Sequence, residues 1–201
     1  MTYVPHSMPQ PTAAQASAFA RDVGFGSVIL GRSPDYAVAH VPIQVILDSA
    51  SGEAEELVFH FSTKNALSDL LVEPAQVLII FRGPDGYISP RWYDHENVPT
   101  WDYAVVQMTG RATPVDEGRL RQHVKDLVRQ FEPEVAIREA YIDQYLDWIR
   151  GFSLRSPAIE PVFKLSQDKN EASIAGVLHG LRQRAKGLDE QLAAAIEAAR
   201  R

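Results

Sequence analysis

Alternating apolar and polar residues dominate the first half of the chain. The stretch SVILGRSPDYAVAHVPIQVILD alternates on both sides of a turn at Gly31–Asp35. This pattern predicts an antiparallel hairpin with strands Ser27–Leu30 and Tyr36–Leu47. In the stretch 100–115, Gly110 predicts a bulge or a point where another segment approaches the backbone closely. Further strands are predicted at GEAEELVFHFST (52–63), VLIIF (77–81), TWDYAVVQMTGRATPV (100–115) and VFKLSQ (162–167).

Apolar residues at helical spacing mark two short and two long segments. The short segments are TAAQASAFARD, which ends before Gly24, and KNALSDLLVEP, which ends at Pro74. The long segments cover about 116–151 and about 171–201. Strands first and helices later indicate a mainly β fold, an antiparallel barrel decorated by helices. We interpret residues 1–201 as a single domain.

Composition narrows the chemistry. The 201 residues carry a formal net charge of -6 and no cysteine. The lack of cysteine excludes disulfides, Cys-ligated metal centres and a thiol nucleophile. The negative charge argues against a broad basic surface for DNA, and the best basic candidate is only Arg182–Lys186. No stretch approaches the roughly 18 apolar residues of a membrane span, and the start lacks a signal-sequence pattern. We therefore predict a cytoplasmic protein with no membrane partner.

One segment concentrates large aromatic side chains among prolines and acids. GPDGYISPRWYDHENVPTWDYAVV, residues 83–106, is interpreted as a loop-like stretch that contains Trp92, Tyr93, Trp101 and Tyr103. Such rings bury about 150–250 Å² each when packed, so a fully exposed cluster is unfavourable. We expect these side chains to line a pocket, a subunit interface, or both. An interface core alone is the alternative.

Polar residues follow the strand that contains VFHF. Ser62, Thr63, Lys64 and Asn65 stand where a strand is predicted to turn into a helix. Such a turn can hold a phosphate through free backbone N–H groups, hydroxyls and an ammonium. On the local pattern alone, an ordinary helix N-cap is the favoured reading.

His40 and His60 each lie within a predicted strand. Because no second ligand stands at a zinc-like spacing, the sequence favours structural histidines and predicts no metal site. HExxH, GxSxG, Walker and GxGxxG patterns do not occur. The catalytic residues, if there are any, are therefore unknown from sequence.

Several motifs occur in a recognisable order along the chain. They are YVP at the start, FG at 25–26, AHVP at 39–42, FRGPDGYISPRWY at 81–93, VPTWDY at 98–103 and KLSQ at 164–167. In these motifs the sequence resembles the FMN-binding negative transcriptional regulators, the PaiB-like family, from about Tyr3 to about Leu181. The resemblance implies a six-stranded antiparallel split β-barrel with C-terminal helices, a homodimer, and FMN held in the groove between subunits.

The resemblance also implies which residues contact FMN. Trp92, Tyr93, Trp101 and Tyr103 are then the wall of an isoalloxazine pocket, since flat rings suit a flat cofactor. The implied cofactor-binding residues are His40, Val41, Pro42, Ser62, Thr63, Lys64, Asn65, Ser89, Trp92, Tyr93, Trp101 and Gln167.

Three positions depart from the family pattern. Arg91 stands where serine is expected, and Asp102 replaces the usual asparagine. The turn STKNA, at 62–66, lacks the arginine of the family's ARANP-like segment. Lys64 and the neighbouring hydroxyls are candidates to replace it, but an ammonium cannot give the bidentate phosphate contact of a guanidinium. The departure leaves open whether FMN binding is weak or absent.

Three functional classes remain open at this point. A negative transcriptional regulator would act as a homodimer, although no helix-turn-helix with a basic recognition helix is visible. A flavin-dependent oxidoreductase of the pyridoxamine-phosphate-oxidase-like superfamily would take its chemistry from FMN. A haem-binding split-barrel protein, the less favoured alternative, would use His40, His60 or another histidine as an axial ligand.

Overall fold

Residues 8–32 and 35–200 are described by a computed structural model, and seven strands and six helices occur within them. The strands are β1 Phe25–Arg32, β2 Asp35–Leu47, β3 Ala54–Ser62, β4 Ala75–Ile88, β5 Thr100–Pro114, β6 Ile149–Arg155 and β7 Ala158–Lys164. The helices are α1 Ala13–Val23, α2 Ala66–Leu70, α3 Glu117–Phe131, α4 Glu139–Leu146, α5 Glu171–Arg184 and α6 Asp189–Ala198. The motif YVP lies outside the described residues.

The first hairpin is confirmed. Strands β1 and β2 pair antiparallel from Phe25 opposite Pro42 to Arg32 opposite Asp35. The helix before them begins with a capping box between Thr12 and Gln15 and ends at Gly24, whose φ of 61° is left-handed. The caps of helix α1 and the alternation of apolar and polar residues in β1 and β2 therefore determine where the sheet begins.

The sheet closes on itself, as the barrel prediction requires. Its strand order is β4-β1-β2-β3-β6-β5-β7, and an additional β4–β5 pairing joins the ends of a six-stranded ring. The pairs β1–β2, β1–β4, β2–β3, β3–β6 and β5–β6 are all antiparallel. A closed ring satisfies the backbone groups that an open sheet leaves at its edges.

The helical prediction for 116–151 is wrong beyond Leu146. Residues Ile149–Arg155 form β6, which pairs with both β3 and β5. The four residues from Gly151 to Leu154 are all buried, so this strand has no alternation of polar and apolar positions to reveal it. The predicted helices over 171–201 are confirmed as α5 and α6 within the described residues.

The aromatic segment 83–106 is less loop-like than its composition predicts. Strand β4 continues to Ile88, and β5 begins at Thr100. Only the connection between them is irregular, with a 3-10 turn at Pro90–Trp92. Most of the segment is therefore held by strand pairing, despite its prolines and acids.

The described residues form two compact units. The larger unit holds residues 12–81 and 106–160, and the smaller unit holds 8–11, 82–105 and 161–200. The single-domain interpretation stays a prediction.

The core of the larger unit includes three fully buried phenylalanines. The rings of Phe59 and Phe61 lie 5.5 Å apart, and Phe152 lies 6.0 Å and 5.4 Å from them. The predicted close approach at Gly110 is confirmed, since a Cβ there would stand 2.7 Å from a methyl carbon of Leu154.

The core of the smaller unit lies on helices α5 and α6. Val177 and Leu181 of α5 and Leu192 and Ile196 of α6 are buried together with Ile88 at the end of β4. Helix α5 ends at Ala185, whose φ of 47° is left-handed, so the polar, alanine-rich C-terminal segment forms two helices. None of the helices in residues 8–32 and 35–200 is both long and apolar enough to cross a membrane.

Candidate functional site

The turn after β3 is a well-formed helix cap in the larger unit. Asn65 Oδ1 accepts from the backbone N–H of Leu67 at 2.9 Å. The N–H groups of Thr63, Lys64 and Asn65 donate to Trp148 O, Ser62 Oγ and Ser62 O at 2.9, 3.3 and 2.9 Å. The expectation of free backbone N–H groups at these three residues is therefore wrong. A phosphate here would have to be held by side chains.

Lys64 supplies an exposed ammonium at this turn. Its Nζ lies 5.8 Å from the ring centroid of Trp148, and within the described part of the chain it forms no ion pair with a carboxylate. An ammonium without a carboxylate partner is available to an anionic ligand. The hydroxyls of Ser62 and Thr63 stand beside it in sequence.

A guanidinium that the sequence did not assign also lies at this turn. Strand β6 places Arg150 opposite Phe61, and Arg150 NH1 donates to Ser68 O and Asp69 Oδ1, both at 3.2 Å. The side chain is 48% exposed, so its remaining N–H groups are open to solvent or ligand. The β3–β6 pairing thus brings an arginine to the turn from which the family's own arginine is missing.

His40, Val41 and Pro42 lie on β2. They pair with Ser27, Gly26 and Phe25 of β1, which are the residues of and beside the FG motif. His40 is exposed, and its Nδ1 lies 2.9 Å from Ser27 Oγ. The two motifs AHVP and FG therefore meet across one pair of strands.

Half-buried His60 pairs with the buried His123. His60 Nδ1 lies 3.1 Å from His123 Nε2, and His123 Nδ1 lies 3.3 Å from Gln44 Oε1. Burial lowers the pKa of His60 and lowers the pKa of His123 to about 3, so both imidazoles are neutral at neutral pH. Their mutual contact supports the structural reading of His60. In the described residues no three ligating side chains stand together as a metal site.

Trp92 packs against helix α5 in the smaller unit. A Cβ at Gly180 would stand 2.2 Å from the Trp92 ring, and one at Gly176 would stand 2.0 Å from the Trp92 carbonyl oxygen. The guanidinium of Arg184 lies 5.0 Å from the ring centroid. Ser89 caps the 3-10 turn that carries Trp92, since Ser89 Oγ accepts from the Arg91 N–H at 3.3 Å.

Trp101 has different neighbours from Trp92. Its side chain is about half exposed, its Nε1–H donates to Asp85 Oδ1 at 2.8 Å, and Tyr87 meets it edge-on at 6.4 Å. Trp92 packs against a helix, whereas about half of Trp101 is exposed. The description of the aromatic residues as one wall stays a prediction, but each has its own partners.

Tyr93 and Asp102 are the buried members of the same motifs. Asp102 accepts from Ser166 Oγ at 2.5 Å and from Lys164 Nζ at 3.2 Å. Lys164 Nζ also donates to Thr100 Oγ1 at 2.5 Å and to Trp101 O at 2.8 Å. Burial raises the pKa of Asp102 against the opposing effect of Ser166 and Lys164. The motifs VPTWDY and KLSQ therefore meet at a buried ion pair, which the sequence analysis did not predict.

Gln167 acts on the backbone of its own unit. Its Oε1 accepts from the Leu165 N–H at 2.7 Å, and its Nε2 donates to Phe163 O at 2.9 Å and to Pro9 O at 3.2 Å. Each of these bonds ties down a chain segment. The predicted role of Gln167 in cofactor binding stays a prediction.

Comparison with known proteins identifies the family. Residues 2–156 match the family described as "Putative FMN-binding domain". The chain belongs to this family. The resemblance to PaiB-like proteins is confirmed by a relative that matches almost the whole chain. The chain is 25% identical over 202 residues to "Protease synthase and sporulation protein PAI 2" of Bacillus subtilis, covering 97% of this chain and 96% of that protein.

Solved structures confirm the fold of this FMN-binding family member. The FAD and haem binding protein from Mycobacterium smegmatis matches with a TM-score of 0.58 at 14% identity, covering 85% of this chain and 80% of that one. The flavocytochrome Anf3 from Azotobacter vinelandii matches with a TM-score of 0.56 at 12% identity, covering 80% and 72%. At these identities the likeness shows the split-barrel fold alone.

Proposed function

We propose that the protein binds FMN as a homodimer and acts as a negative transcriptional regulator of the PaiB-like type. The observation that carries the FMN proposal is the family match over residues 2–156, on a chain whose strands close into a six-stranded ring. The names of the Mycobacterium and Azotobacter proteins, one with FAD and haem and one a flavocytochrome, are consistent with a flavin ligand on this fold.

The phosphate of FMN is proposed to bind at the turn after β3. The ammonium of Lys64 and the free N–H groups of Arg150 supply positive charge there, and the hydroxyls of Ser62 and Thr63 supply further donors. Charge-assisted contacts of this kind are about twice as strong as neutral hydrogen bonds. When bound, FMN would supply redox chemistry through its isoalloxazine ring. The protein's part is to hold the phosphate and orient the ring.

Lys64→Ala tests the phosphate site. Loss of one charge-assisted contact is expected to cost about 1.5–3 kcal/mol, or roughly 10- to 150-fold in FMN affinity. Riboflavin has no phosphate, so its affinity should change far less. Titration calorimetry with both ligands, together with the absorbance spectrum with and without added FMN, measures the difference.

Lys125→Ala is the matched control for that comparison. Lys125 lies in the same unit, but its Nζ already pairs with Glu139 at 2.5 Å on the surface. Its removal should leave FMN and riboflavin binding unchanged. If Lys64→Ala binds FMN as tightly as the parent protein, the turn is only a helix cap and the phosphate assignment is wrong.

The homodimer has support from exposed apolar side chains. Phe25, Trp101 and Trp148 are 54%, 51% and 58% exposed, and large exposed rings are typical of interaction surfaces. Light scattering at micromolar concentration should give about twice the 22.4 kDa mass of one chain. A mass of one chain at that concentration would contradict the proposal.

We propose that the protein acts as a regulator but does not itself bind arbitrary duplex DNA. In the basic segment Arg182–Lys186, Arg182 pairs with Glu197 at 2.9 Å and Arg184 pairs with Asp189 at 2.6 Å. Guanidiniums already neutralised by carboxylates release few counterions from DNA. We therefore infer that a protein partner, rather than this segment, makes any contact with an operator.

A further inference from the structure

The smaller unit contains a small cavity whose lining residues are mostly polar or charged. Its volume is about 150 Å³. A water molecule occupies about 30 Å³ of liquid, so the cavity has room for roughly five waters or one very small organic molecule. It is lined by Met8, Tyr93, Asn97, Val98, Thr100, Asp102, Lys164, Ser166, Asp168 and Lys169.

Tyr93 contributes a polar group that the protein leaves unsatisfied. The residue is 8% exposed, and its hydroxyl has no hydrogen-bond partner within the described part of the chain. A buried hydroxyl without a partner costs about 1–3 kcal/mol. Burial, with the charge of Asp102 second, raises the pKa of Tyr93, so the hydroxyl keeps its proton and can donate it to a ligand.

Backbone strain occurs in the wall of the same cavity. Ser166 has a φ of 57°, in the left-handed region that non-glycine residues rarely adopt. This conformation accompanies the hydrogen bond from Ser166 Oγ to the buried Asp102. An unsatisfied hydroxyl, a buried carboxylate and a strained residue in one cavity wall are features that cluster at binding sites.

The charges in the cavity wall form two balanced pairs. Asp102 pairs with Lys164, whose ammonium already donates to three oxygens. Asp168 pairs with Lys169 at 2.8 Å, and Lys169 Nζ lies 5.7 Å from the Tyr93 ring centroid. Lys169 therefore keeps donors for a ligand, and the two carboxylates keep acceptor lone pairs. A wall with both signs and no net charge suits a ligand that also carries both signs.

We propose that this cavity binds a small zwitterionic amino acid of the size of glycine or alanine. Its carboxylate accepts from the hydroxyl of Tyr93 and from Lys169, and its ammonium faces the carboxylates of Asp102 and Asp168. A simple anion would lack the contacts to the ammonium and would meet two carboxylates, and an amino acid as large as phenylalanine exceeds the volume of the cavity. The inference does not rest on FMN binding.

The test is a titration of ¹⁵N-labelled protein with glycine, alanine, acetate, methylammonium, acetamide and phenylalanine. Glycine and alanine should give saturable shifts at the amides of Asn97, Val98, Asp168 and Lys169. Acetate, methylammonium, acetamide and phenylalanine should bind at least about tenfold more weakly, since each loses a charge-assisted contact or the fit. Preference for acetate or acetamide, or no saturable shift with glycine, overturns the proposal.

Two variants localise the binding. Tyr93→Phe removes only the hydroxyl, and Lys169→Gln removes only the ammonium. Each should weaken glycine binding about tenfold or more, and Tyr145→Phe on helix α4 should leave it unchanged. Because no described residue satisfies the Tyr93 hydroxyl, Tyr93→Phe should unfold at the same temperature as the parent or higher. Unchanged glycine affinity in both cavity variants would show that the ligand binds elsewhere.

Discussion

Replacing Gly180 by alanine is expected to destabilise the protein, although the same change in a helix normally stabilises it. Alanine in a helix interior is favoured over glycine by about 0.5–1 kcal/mol. At Gly180 the new methyl would stand 2.2 Å from the partly buried ring of Trp92, and a methyl at Gly176 would stand 2.0 Å from the Trp92 carbonyl oxygen. Overpacking of this kind costs about 1–3 kcal/mol, so the sign of the change should reverse. Denaturant unfolding of Gly180→Ala and Gly176→Ala measures the change in the free energy of unfolding.

The Trp92 contact can be separated from a general intolerance of helix α5. Gly118 in α3 is the matched control, because a methyl there meets only the capping carboxylate of Asp116, at a tolerable 3.3 Å. Gly118→Ala should be neutral or stabilising. Trp92→Ala should rescue Gly180→Ala, since the clash is with the indole, but should not rescue Gly176→Ala, whose clash is with backbone. Equal rescue of both variants would contradict the packing described for Trp92.

The pattern of residues along the chain predicts much of the sheet and says little about its closure. Strands β1, β2 and β3 alternate or are bounded by turns, and local pattern is enough to locate them. Strand β6 joins β3 to β5 within the ring, yet its residues Gly151–Leu154 are all buried and follow Tyr141, Tyr145 and Trp148, which stand at helical spacing. Its strand character depends on pairing with β3 and β5, which are distant in sequence.

The candidate site shows the same division. Motif resemblance locates Trp92, Tyr93 and Trp101, but their surroundings come from segments whose contribution no local pattern reveals. Trp92 is held by two glycines of α5, and the partner of Asp102 is Ser166, which lies 64 positions later. At the phosphate turn, Arg150 arrives through the unpredicted strand β6. A motif therefore predicts that a residue belongs to the site more readily than it predicts which side chains lie beside that residue.

Asp102 is the second position where a large effect is expected. Its side chain is 1% exposed and accepts from Lys164 and Ser166. Asp102→Leu leaves the ammonium of Lys164 mostly buried without its counter-charge, a loss that typically costs about 3–5 kcal/mol. Asp102→Asn keeps an acceptor for Ser166, and Lys164 keeps Thr100 Oγ1 and Trp101 O, so this variant should lose far less. The comparison separates the charge from the hydrogen bond.

The pH dependence of these variants tests which effect dominates at Asp102. Burial raises the pKa of Asp102 above its ordinary value of 3.8, more than Ser166 and Lys164 lower it. The folded state then binds the proton more tightly than the unfolded state, so its contribution to stability is complete below pH 3.8 and is lost as the pH rises through the folded pKa. The stability of the parent relative to Asp102→Asn should therefore fall as the pH is raised from 3.8. Urea unfolding of both proteins across this range measures the difference, in which titrating groups far from Asp102 cancel. A difference that grows with pH would mean that the ion pair with Lys164 outweighs burial, and that this aspartate is retained for stability.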